Sequence, residues 1–421
     1  MLHFFSRAFG AGLILAMPLA VGCSGAADDT ATPQDGTDAA DAQEGGSFDD
    51  AQDSGTTTTT LPVDSGTLGD SVVTHDDTAV VEDTNKPEDG GTVVTGGVRF
   101  LGRVDASDPR AVKFAWSNSG FTATVTGTKI SVKLQGVGSA AFYQPVVDGK
   151  PGARFSVASG ATQTVVIGDS LSAADHTVEV YRDTEGMYGH SVFLGFVDGT
   201  VKGSPPSSGR LLEIVGDSIS AGYGNLGHEV HPPWDNTCSF TLDTQSAYDS
   251  YAGKLGRSLN AEVSVLARSG WGMYRDLGGL TSGVLSSVYD NAVGTDGTWK
   301  WSFARKPNAV LIDLGTNDSG KGDPGKPYED AYVAFLKTVR GHYPDAWIFL
   351  TIGPMTGDPL LTTMRTHLKN VVTAAADAKV KTIDIPVQDT STTGCDYHPD
   401  VAEDQKMADA LAPTIKSQLG W

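Results

Sequence analysis

Cysteine is scarce in this sequence, with 3 residues among 421. So few cysteines exclude a small scaffold whose fold is held by a disulfide framework. Positive charge is also in short supply: 30 Lys and Arg stand against 51 Asp and Glu, a formal net charge of −21. Without a basic face the chain lacks the electrostatic footprint of a nucleic-acid-binding protein, so we expect no nucleic-acid partner.

Most of the negative charge lies in one segment of low complexity. Residues 24–97 hold 17 acidic residues and one basic residue, Lys86, whereas the chain beyond residue 97 holds 34 acidic and 28 basic residues. Asp, Thr, Gly, Ala and Ser dominate the segment, which cannot bury enough apolar surface to offset its ordering entropy. Like charges keep such a chain extended. We therefore predict a disordered acidic stalk over residues 24–97.

The N-terminal residues lack an apolar run long enough to cross a membrane. Only 15 residues separate Arg7 from Cys23, fewer than a spanning helix requires. A basic residue, an apolar run and small residues next to Cys23 predict an export signal peptide over residues 1–23.

The position of Cys23 directly after the apolar run resembles a bacterial lipoprotein box. The resemblance implies that Cys23 is lipidated, so that the exported protein is held at a membrane by its N-terminal lipid anchor. Ser24 is compatible with sorting to the outer membrane or cell surface of a Gram-negative bacterium. A plain signal peptide that happens to contain a cysteine is the alternative.

Residues 98–203 contain short alternating runs separated by Gly, Asp and Asn, with no helical stretch. Seven strands at this spacing are typical of an antiparallel β-sandwich. The predicted strands are Lys113–Trp116, Phe121–Val125, Ile130–Leu134, Phe142–Val147, Thr164–Ile167, Thr177–Tyr181 and Phe193–Val197. The turn-rich segment 203–209 then connects this domain to the next.

Residues 210–421 show a different period, in which continuous apolar runs alternate with amphipathic stretches. The apolar runs are Leu211–Val215, Val263–Ala267, Ala309–Leu314, Trp347–Ile352 and Val380–Ile385. In one amphipathic stretch Ala331, Phe335 and Val339 share a face at helical spacing. This alternation predicts a three-layer α/β domain whose parallel sheet is covered by helices on both sides. Sites in such folds form at the carboxyl ends of the strands.

The tripeptide Gly-Asp-Ser occurs at residues 69–71, 168–170 and 216–218. Only Ser218 follows a predicted parallel strand, whereas Ser71 lies in the predicted stalk and Ser170 among the antiparallel strands. A serine at a strand-to-helix turn exposes its hydroxyl and points its N–H into the same space. We therefore predict Ser218 as a nucleophile that also donates to an oxyanion.

Three further segments carry chemistry near strand ends or before the last helix. Gly270 follows the second apolar strand, and its backbone N–H could donate to an oxyanion; an ordinary turn glycine is the alternative. Asn317 follows the third strand and could be a further oxyanion donor through its amide. His398 precedes the final helix and would act as general base toward Ser218.

In their order and context, the segments around Ser218, Gly270, Asn317 and His398 resemble the four sequence blocks of the SGNH (GDSL) hydrolases. The resemblance implies a flavodoxin-like parallel sheet. It also implies an oxyanion hole formed by the Ser218 N–H, the Gly270 N–H and the Asn317 amide. Gly272 is the second choice for the backbone donor.

The preceding sandwich narrows the resemblance. Segments 143–149 and 175–180, followed by Thr184-Glu185, are similar to the N-terminal jelly-roll domain of carbohydrate esterase family two. Members of that family join such a jelly roll to an SGNH domain and remove acetyl groups from plant polysaccharides such as xylan and mannan. The similarity covers residues 98–421. It implies an acetylated polysaccharide as partner, with no metal ion and no cofactor.

One position departs from the SGNH pattern. Most SGNH enzymes carry an aspartate three residues before the histidine, but Cys395 stands there. Family-two esterases work with a Ser–His dyad in which a backbone carbonyl holds the imidazole, and the resemblance therefore implies a dyad of Ser218 and His398. Asp396 is the alternative residue to orient the histidine.

Cys238 and Cys395 remain in the exported protein if Cys23 is lipidated. Cys238 lies on the long loop after the catalytic strand, and Cys395 lies on the histidine loop. We hypothesise that they form a disulfide joining the two active-site loops. Two buried free thiols are the alternative.

Several residues near these blocks have less specific interpretations. Trp271, Trp234 and Tyr397 are candidates for stacking on a sugar ring, or equally for core or loop packing. Glu185 is interpreted as a surface carboxylate rather than a residue of the cleft between the domains, and Arg268 and Arg275 as structural residues. Residues 227–231 contain His and Glu without a third ligand, which favours a solvated loop over a metal site.

The sequence therefore predicts a lipid-anchored, two-domain serine esterase that removes O-acetyl groups from polysaccharide. An esterase for acetylated peptidoglycan or another envelope glycan is one alternative. A non-catalytic surface lipoprotein that binds glycan is another, although an intact set of Ser218, Asn317 and His398 argues against it.

Overall fold

The computed structural model describes residues 92–230 and 238–421. The predicted signal peptide, Cys23 and most of the predicted stalk lie outside the described residues, as do His231 and Trp234. Within the described part of the chain, no helix combines the length and apolarity that a membrane span requires.

The end of the predicted stalk is wrong, because the last residues before residue 98 belong to the fold. Val94–Thr95 forms a strand that pairs with Val98–Arg99 in an antiparallel hairpin. Gly96 and Gly97 close the turn with φ of 56° and 79°. A two-residue hairpin turn with positive φ at both positions is one that glycine adopts without strain. Sequence composition identified the acidic segment but missed this local turn at its end.

The first domain is built from eleven antiparallel strands. They are β1 Val94–Thr95, β2 Val98–Leu101, β3 Val104–Asp105, β4 Val112–Phe114, β5 Gly120–Gly138, β6 Ala141–Val147, β7 Lys150–Pro151, β8 Phe155–Val157, β9 Thr162–Gly168, β10 Asp175–Arg182 and β11 Gly189–Gly203. Their main order is β3-β4-β11-β5-β10-β6-β7. Alternate residues of β10 are buried, as the period of two predicts for a sheet with one face on a core.

Two of the predicted strands, Phe121–Val125 and Ile130–Leu134, are parts of the single long strand β5. The residues between them form an irregularity in the ladder with β11, where Thr126 pairs with Thr200 and Ser131 with Asp198. The first part of β5 pairs with β10 and the second with β9. The strand therefore bends at a bulge instead of turning back, and its apolar residues share one core with Phe100, Phe114 and Phe193.

The second domain contains a five-stranded parallel sheet. Its strands are β12 Leu211–Gly216, β13 Glu262–Ala267, β16 Ala309–Asp313, β17 Trp347–Thr351 and β18 Val380–Thr382, and a separate hairpin comprises β14 Asn291–Val293 and β15 Asp296–Lys300. The order β13-β12-β16-β17-β18 is the doubly wound arrangement of flavodoxin-like folds. The chain leaves β12 on one side toward β13 and continues on the other with β16. A switch point of this kind places a crevice at the carboxyl end of β12.

Helices cover both faces of this sheet. They are α1 Ser218–Ala221, α2 Gly227–Val230, α3 Tyr251–Leu259, α4 Thr316–Ser319, α5 Lys326–His342, α6 Leu360–Ala375 and α7 Val401–Leu419. Buried residues of α5 and α6 pack on one face, and those of α3 and α7 on the other. The predicted fold class, a jelly-roll-like β-sandwich followed by a three-layer α/β domain, is confirmed.

The two domains share a buried polar interface. Arg103 of the first domain is fully buried and forms an ion pair with Glu213 of β12, at 2.9 Å. Asp183 accepts a hydrogen bond from the Tyr248 N–H at 3.0 Å, and Arg154 donates to the Asp243 carbonyl at 2.9 Å. Buried charges are tolerated only where partners compensate for lost hydration, so these contacts define one arrangement of the domains.

Candidate active site

Ser218 lies at the carboxyl end of β12, where the chain turns sharply into α1. Asp217 caps that helix: its carboxylate accepts a hydrogen bond from the Ile219 N–H at 3.0 Å. A Cβ at Gly216 would lie 1.9 Å from the Ser220 hydroxyl, so glycine is required by the tight turn. Burial, with the neighbouring carboxyl of Asp313, raises the pKa of Asp217 well above its usual range.

His398 contacts the Ser218 hydroxyl directly. Its Nε2 lies 2.8 Å from Ser218 Oγ, within reach of proton transfer. Its Nδ1 lies 3.1 Å from the backbone carbonyl oxygen of Asp396. An acceptor at Nδ1 favours the tautomer whose Nε2 is unprotonated and can take the serine proton.

The Asp396 carboxylate makes its hydrogen bonds with residues other than His398. It accepts hydrogen bonds from the Tyr223 hydroxyl and the Phe240 N–H, both at 3.0 Å. Asp396 and Tyr397 have φ of 52° and 62°, and this left-handed pair forms the loop in which the Asp396 carbonyl faces His398. The structure therefore gives His398 a carbonyl partner, and the alternative in which the Asp396 carboxylate orients the histidine has no supporting contact.

Burial lowers the pKa of His398 to about 4. The main cause is the loss of hydration around the imidazole, which disfavours its charged form. Tyr223 covers the ring at a centroid distance of 4.4 Å, and Phe240 stacks on Tyr223 at 4.0 Å. The histidine is accordingly neutral, as a general base must be, over most of the pH range.

Two backbone N–H groups are available at this crevice. Among the described residues, neither the Ser218 N–H nor the Gly270 N–H donates to a protein acceptor. Gly270 has a φ of 79°, and a Cβ there would meet no atom within 4 Å. Glycine is therefore required at residue 270 by its backbone conformation, and both groups fit their predicted roles as oxyanion donors.

Asn317, at the start of α4, is brought to the same place. Its Nδ2 donates to the Trp271 carbonyl at 2.9 Å and to the Asp217 carboxylate at 3.1 Å. The Asn317 side chain is thus fixed next to Asp217, the residue before Ser218, with both amide hydrogens engaged. As an oxyanion donor it would exchange one of these acceptors for the substrate oxygen, and its predicted role stays a prediction.

Gly272, the second choice for the backbone donor, has a different function in the fold. A Cβ at this position would come within 2.3 Å of the Asp318 carboxylate. That carboxylate accepts the N–H groups of Met273, Tyr274 and Arg275 at 2.7 to 2.9 Å. Asp318, which follows Asn317 in sequence, therefore anchors the loop of residues 269–275, here called the oxyanion loop because Gly270 is the predicted donor. This role of Asp318 was not predicted.

Cys238 and Cys395 form the predicted disulfide. The Asp396 N–H, next to the disulfide, donates to the Cys238 carbonyl at 3.0 Å. The disulfide joins the loop after Ser218 to the loop that carries His398. The alternative of two free thiols is wrong.

The candidate sugar-stacking residues lie in unlike surroundings. Tyr397 is 69% exposed beside His398. Trp271 is partly buried against the core, and the Arg268 guanidinium lies 4.7 Å from its ring centroid. Tyr397 is thus available to a ligand, whereas one face of Trp271 is already occupied.

The interpretation of Glu185 as a surface carboxylate is wrong. The residue is fully buried at the domain interface, where its carboxylate accepts hydrogen bonds from the Ser269 N–H and hydroxyl. Burial raises the pKa of this carboxyl group. Its position depends on how the two domains dock, for which the sequence contains no periodic signal. The Thr184-Glu185 pair quoted for the family resemblance was the one available hint.

Within residues 92–230 and 238–421, no group of three or more His, Cys, Asp and Glu side chains converges as metal ligands would. His228, in the segment considered above, lies 3.5 Å from the Asp400 carboxylate. The chemistry that the described residues assemble is that of a serine nucleophile, an imidazole base and hydrogen-bond donors.

Comparison with known proteins agrees with this geometry. Residues 100–206 match the family described as carbohydrate esterase 2 N-terminal, and residues 214–414 match the GDSL-like lipase/acylhydrolase family. The chain is 35% identical over 348 residues to the cellulase/esterase CelE of Acetivibrio thermocellus. That alignment covers 81% of this chain but only 41% of CelE.

Two further relatives are matched by this chain over almost their whole length. A family two carbohydrate esterase from Clostridium thermocellum, solved in complex with cellohexaose, is similar with a TM-score of 0.72 and 35% identity over 77% of this chain and 100% of that one. An acetylxylan esterase/glucomannan deacetylase from Cellvibrio japonicus is 23% identical over 77% of this chain and 91% of its own length. Both domains, in the same order, are therefore shared with the first of these structures, and the chain belongs to the family two carbohydrate esterases.

Proposed function

We propose that this protein is a serine esterase that removes O-acetyl groups from polysaccharide with a dyad of Ser218 and His398. The observation that carries the proposal is the 2.8 Å contact between His398 Nε2 and Ser218 Oγ, with Nδ1 held by the Asp396 carbonyl. A hydroxyl is a weak nucleophile, and an adjacent neutral imidazole activates it.

The reaction proceeds in two acyl transfers. Ser218 Oγ attacks the acetyl carbonyl while His398 Nε2 takes the hydroxyl proton, and the negative charge develops on the carbonyl oxygen. The N–H groups of Ser218 and Gly270 stabilise this oxyanion, joined by the Asn317 amide. Collapse breaks the ester bond, and the sugar oxygen leaves with the proton from His398. Water, deprotonated by His398, then attacks the acetyl-serine ester and releases acetate.

The relatives support the substrate class. The Cellvibrio japonicus protein is an acetylxylan esterase/glucomannan deacetylase, and the Clostridium thermocellum structure contains cellohexaose. We extend to this chain the expectation of an acetylated xylan or mannan backbone, bound across the carboxyl ends of β12 and β13. The exposed ring of Tyr397 would contact the sugar adjoining the acetyl group.

Acetate release from acetylated xylan, acetylated glucomannan and acetylated peptidoglycan tests this proposal. Release from a plant glycan that is lost in Ser218→Ala is the expected result. Release from peptidoglycan alone would replace plant polysaccharide with an envelope glycan. Hydrolysis of a small acetyl ester without release from any glycan would overturn the substrate class while keeping the Ser218 chemistry.

Non-catalytic glycan binding is a second candidate function, favoured by the cellohexaose complex of a 35% identical structure. Binding of unacetylated cellohexaose by titration calorimetry, in wild type and in Ser218→Ala, tests it. Binding without turnover of any ester would support a glycan-binding protein.

We also propose that Cys23 is lipidated and holds the catalytic domains at the cell envelope. The support is the sequence pattern around Cys23. Incorporation of labelled fatty acid into wild type but not into Cys23→Ser is expected. A wild-type protein that is released unlabelled would contradict the anchor.

A further inference from the structure

We propose that Glu185 of the β-sandwich domain and Arg268 of the α/β domain hold the Ser269–Gly270 peptide group in the orientation that directs the Gly270 N–H toward the oxyanion. Glu185 is then a positioning residue of the active site, supplied by the other domain. This inference rests on the proposed esterase function and assigns a catalytic contribution to the sandwich.

The carboxylate contacts are specific to one residue of the oxyanion loop. Glu185 Oε2 accepts the Ser269 N–H at 2.8 Å, and Oε1 accepts the Ser269 hydroxyl at 2.5 Å. The Gln245 amide lies 3.5 Å from Oε1. Glu185 has no exposed surface, so water does not compete for these hydrogen bonds.

Arg268 completes the set of contacts from the other side. Its Nη1 donates to the Ser269 carbonyl at 2.7 Å and lies 3.4 Å from the Met187 sulfur. The Ser269 N–H, hydroxyl and carbonyl are therefore each bound by a charged side chain. Charge-assisted hydrogen bonds are roughly twice as strong as neutral ones, which makes the conformation of Ser269 strongly determined.

The geometry of the peptide bond transmits this constraint to Gly270. The Ser269 carbonyl and the Gly270 N–H belong to one planar trans unit, so they point in opposite directions. Fixing the carbonyl on Arg268 fixes the direction of the Gly270 N–H. Gly270 itself cannot provide this rigidity, because glycine has the largest range of accessible backbone angles.

The segment that carries Glu185 also reaches the histidine side of the crevice. A short 3₁₀ turn, Gly186–Tyr188, follows directly. The Tyr188 ring stacks on Phe240 at 5.9 Å, Phe240 stacks on Tyr223, and Tyr223 covers His398. Residues 185–188 thus contact the surroundings of both the oxyanion donor and the base, which places the sandwich domain within the catalytic apparatus.

Asp183 provides a matched control for Glu185. It is also a fully buried carboxylate of the sandwich at the domain interface, but it binds the Tyr248 N–H and Arg154 instead of the oxyanion loop. Loss of interface stability alone would affect Asp183→Asn and Glu185→Gln alike. Loss of oxyanion positioning would affect only Glu185.

The test compares Glu185→Ala, Glu185→Gln and Asp183→Asn in the full chain, with nitrophenyl acetate as substrate. We expect Glu185→Ala to lower kcat by about 10- to 100-fold with little change in KM, because a misplaced donor weakens transition-state stabilisation only. Glu185→Gln keeps one acceptor oxygen and should recover part of that loss. Asp183→Asn should keep kcat within about threefold of wild type. A kcat for Glu185→Ala equal to that of Asp183→Asn would overturn the proposal.

The variant Arg268→Met tests the hydrogen bond from Arg268 to the Ser269 carbonyl. Both side chains act by holding one residue, Ser269, so the losses in Glu185→Gln and Arg268→Met should not multiply in the double variant. Fully multiplicative losses would mean that the two side chains act separately and would overturn the shared role.

Hydrogen exchange of the Ser269 amide, whose N–H donates to Glu185, followed by mass spectrometry gives a readout that needs no catalysis. We expect faster exchange in the peptide spanning residue 269 for Glu185→Gln, but not for Asp183→Asn. Unchanged exchange in Glu185→Gln would overturn the inference even if the variant folds poorly elsewhere. Absence of wild-type esterase activity together with the expected exchange pattern would overturn the proposed function and leave the positioning contact supported.

Discussion

The same tripeptide, Gly-Asp-Ser, stands at two places in the described part of the chain, and only one of them is embedded in a candidate active site. Ser170 follows strand β9 in an exposed turn with a φ of 54°, and the Asp169 carboxylate accepts the N–H of Ser170 itself. Ser218 follows β12, is 6% exposed, and contacts His398. Three identical residues thus lie in unrelated chemical surroundings.

The difference lies in the type of strand that precedes each serine. A parallel sheet needs crossover helices, so β12 ends at an edge where other strands of the sheet also end, and their loops converge there. Strand β9 pairs antiparallel with β5 and continues into a surface turn, to which no second catalytic segment comes. A motif therefore acquires chemistry from the topology around it, and each of the following predictions tests one part of this contrast.

The largest effect is expected from removing the two serine hydroxyls separately. Ser218→Ala should lower the rate of acetate release by about 10⁴-fold or more, because the nucleophile is lost. Ser170→Ala should leave the rate unchanged. Assays of both variants on the same acetyl ester check this, and retained activity in Ser218→Ala would mean that another residue is the nucleophile.

Replacing the aspartate of each Gly-Asp-Ser tripeptide, Asp217 or Asp169, should affect the stability of the protein to different extents. Asp217→Ala removes the cap of α1 and leaves the Ile219 N–H and one Asn317 hydrogen without an acceptor, so we expect a loss of about 2 kcal/mol in the free energy of unfolding. Asp169→Ala, at an exposed turn, should change stability by less than about 0.5 kcal/mol. Urea denaturation of the two variants measures this difference. Equal losses would contradict the structural role assigned to Asp217.

The pH profile tests the burial of the histidine beside Ser218. His398 must be neutral to act as a base, and burial lowers its pKa to about 4. As the pH is lowered, kcat/KM should therefore fall to half its maximum near pH 4, so that about nine tenths of the activity remains at pH 5. A fall of kcat/KM with a midpoint at about pH 6.5, the ordinary pKa of histidine, would mean that the imidazole is hydrated in the free enzyme.

The smallest effect is expected at Asp396. Its carbonyl, which Asp396→Asn retains, faces His398 Nδ1, so this variant should lose less than about tenfold in kcat. An aspartate that orients the histidine of a triad contributes about 10⁴-fold. A loss of that size in Asp396→Asn would show that the carboxylate, and not the carbonyl, supports the base.

Local sequence patterns were sufficient to predict the fold class, and they indicated where a candidate site would lie. Each of the five apolar runs beyond residue 210 overlaps a strand of the parallel sheet, because a strand buried on both faces must be continuously apolar. Ser218 and Asn317 lie just after strands β12 and β16, and the sheet topology brings both residues to one crevice. Boundaries were less predictable: the bulge within β5 resembled a turn, and the first strand and the turn of the N-terminal hairpin, residues 94–97, were assigned to the stalk.

The contacts of Glu185 and Asp318 with distant segments were not predicted. Glu185 and Asp318 have no periodicity that distinguishes a buried anchor from a surface carboxylate, since each depends on a loop that approaches from elsewhere in the chain. Gly272 was the second choice for the backbone donor, yet its missing side chain makes room for the Asp318 carboxylate.

The sequence by itself determined the two-domain order and the strand after which Ser218 lies, and it indicated Ser218 and His398 as a candidate pair. These features depend on the local period of apolar residues and on segment order, which a linear chain contains explicitly. Only the tertiary structure decided that the Asp396 carbonyl holds His398, and that Glu185 reaches the oxyanion loop from the other domain. The physical reason is that hydrogen bonds act over about 3 Å, a precision that depends on how whole domains pack and not on which residues are neighbours in sequence.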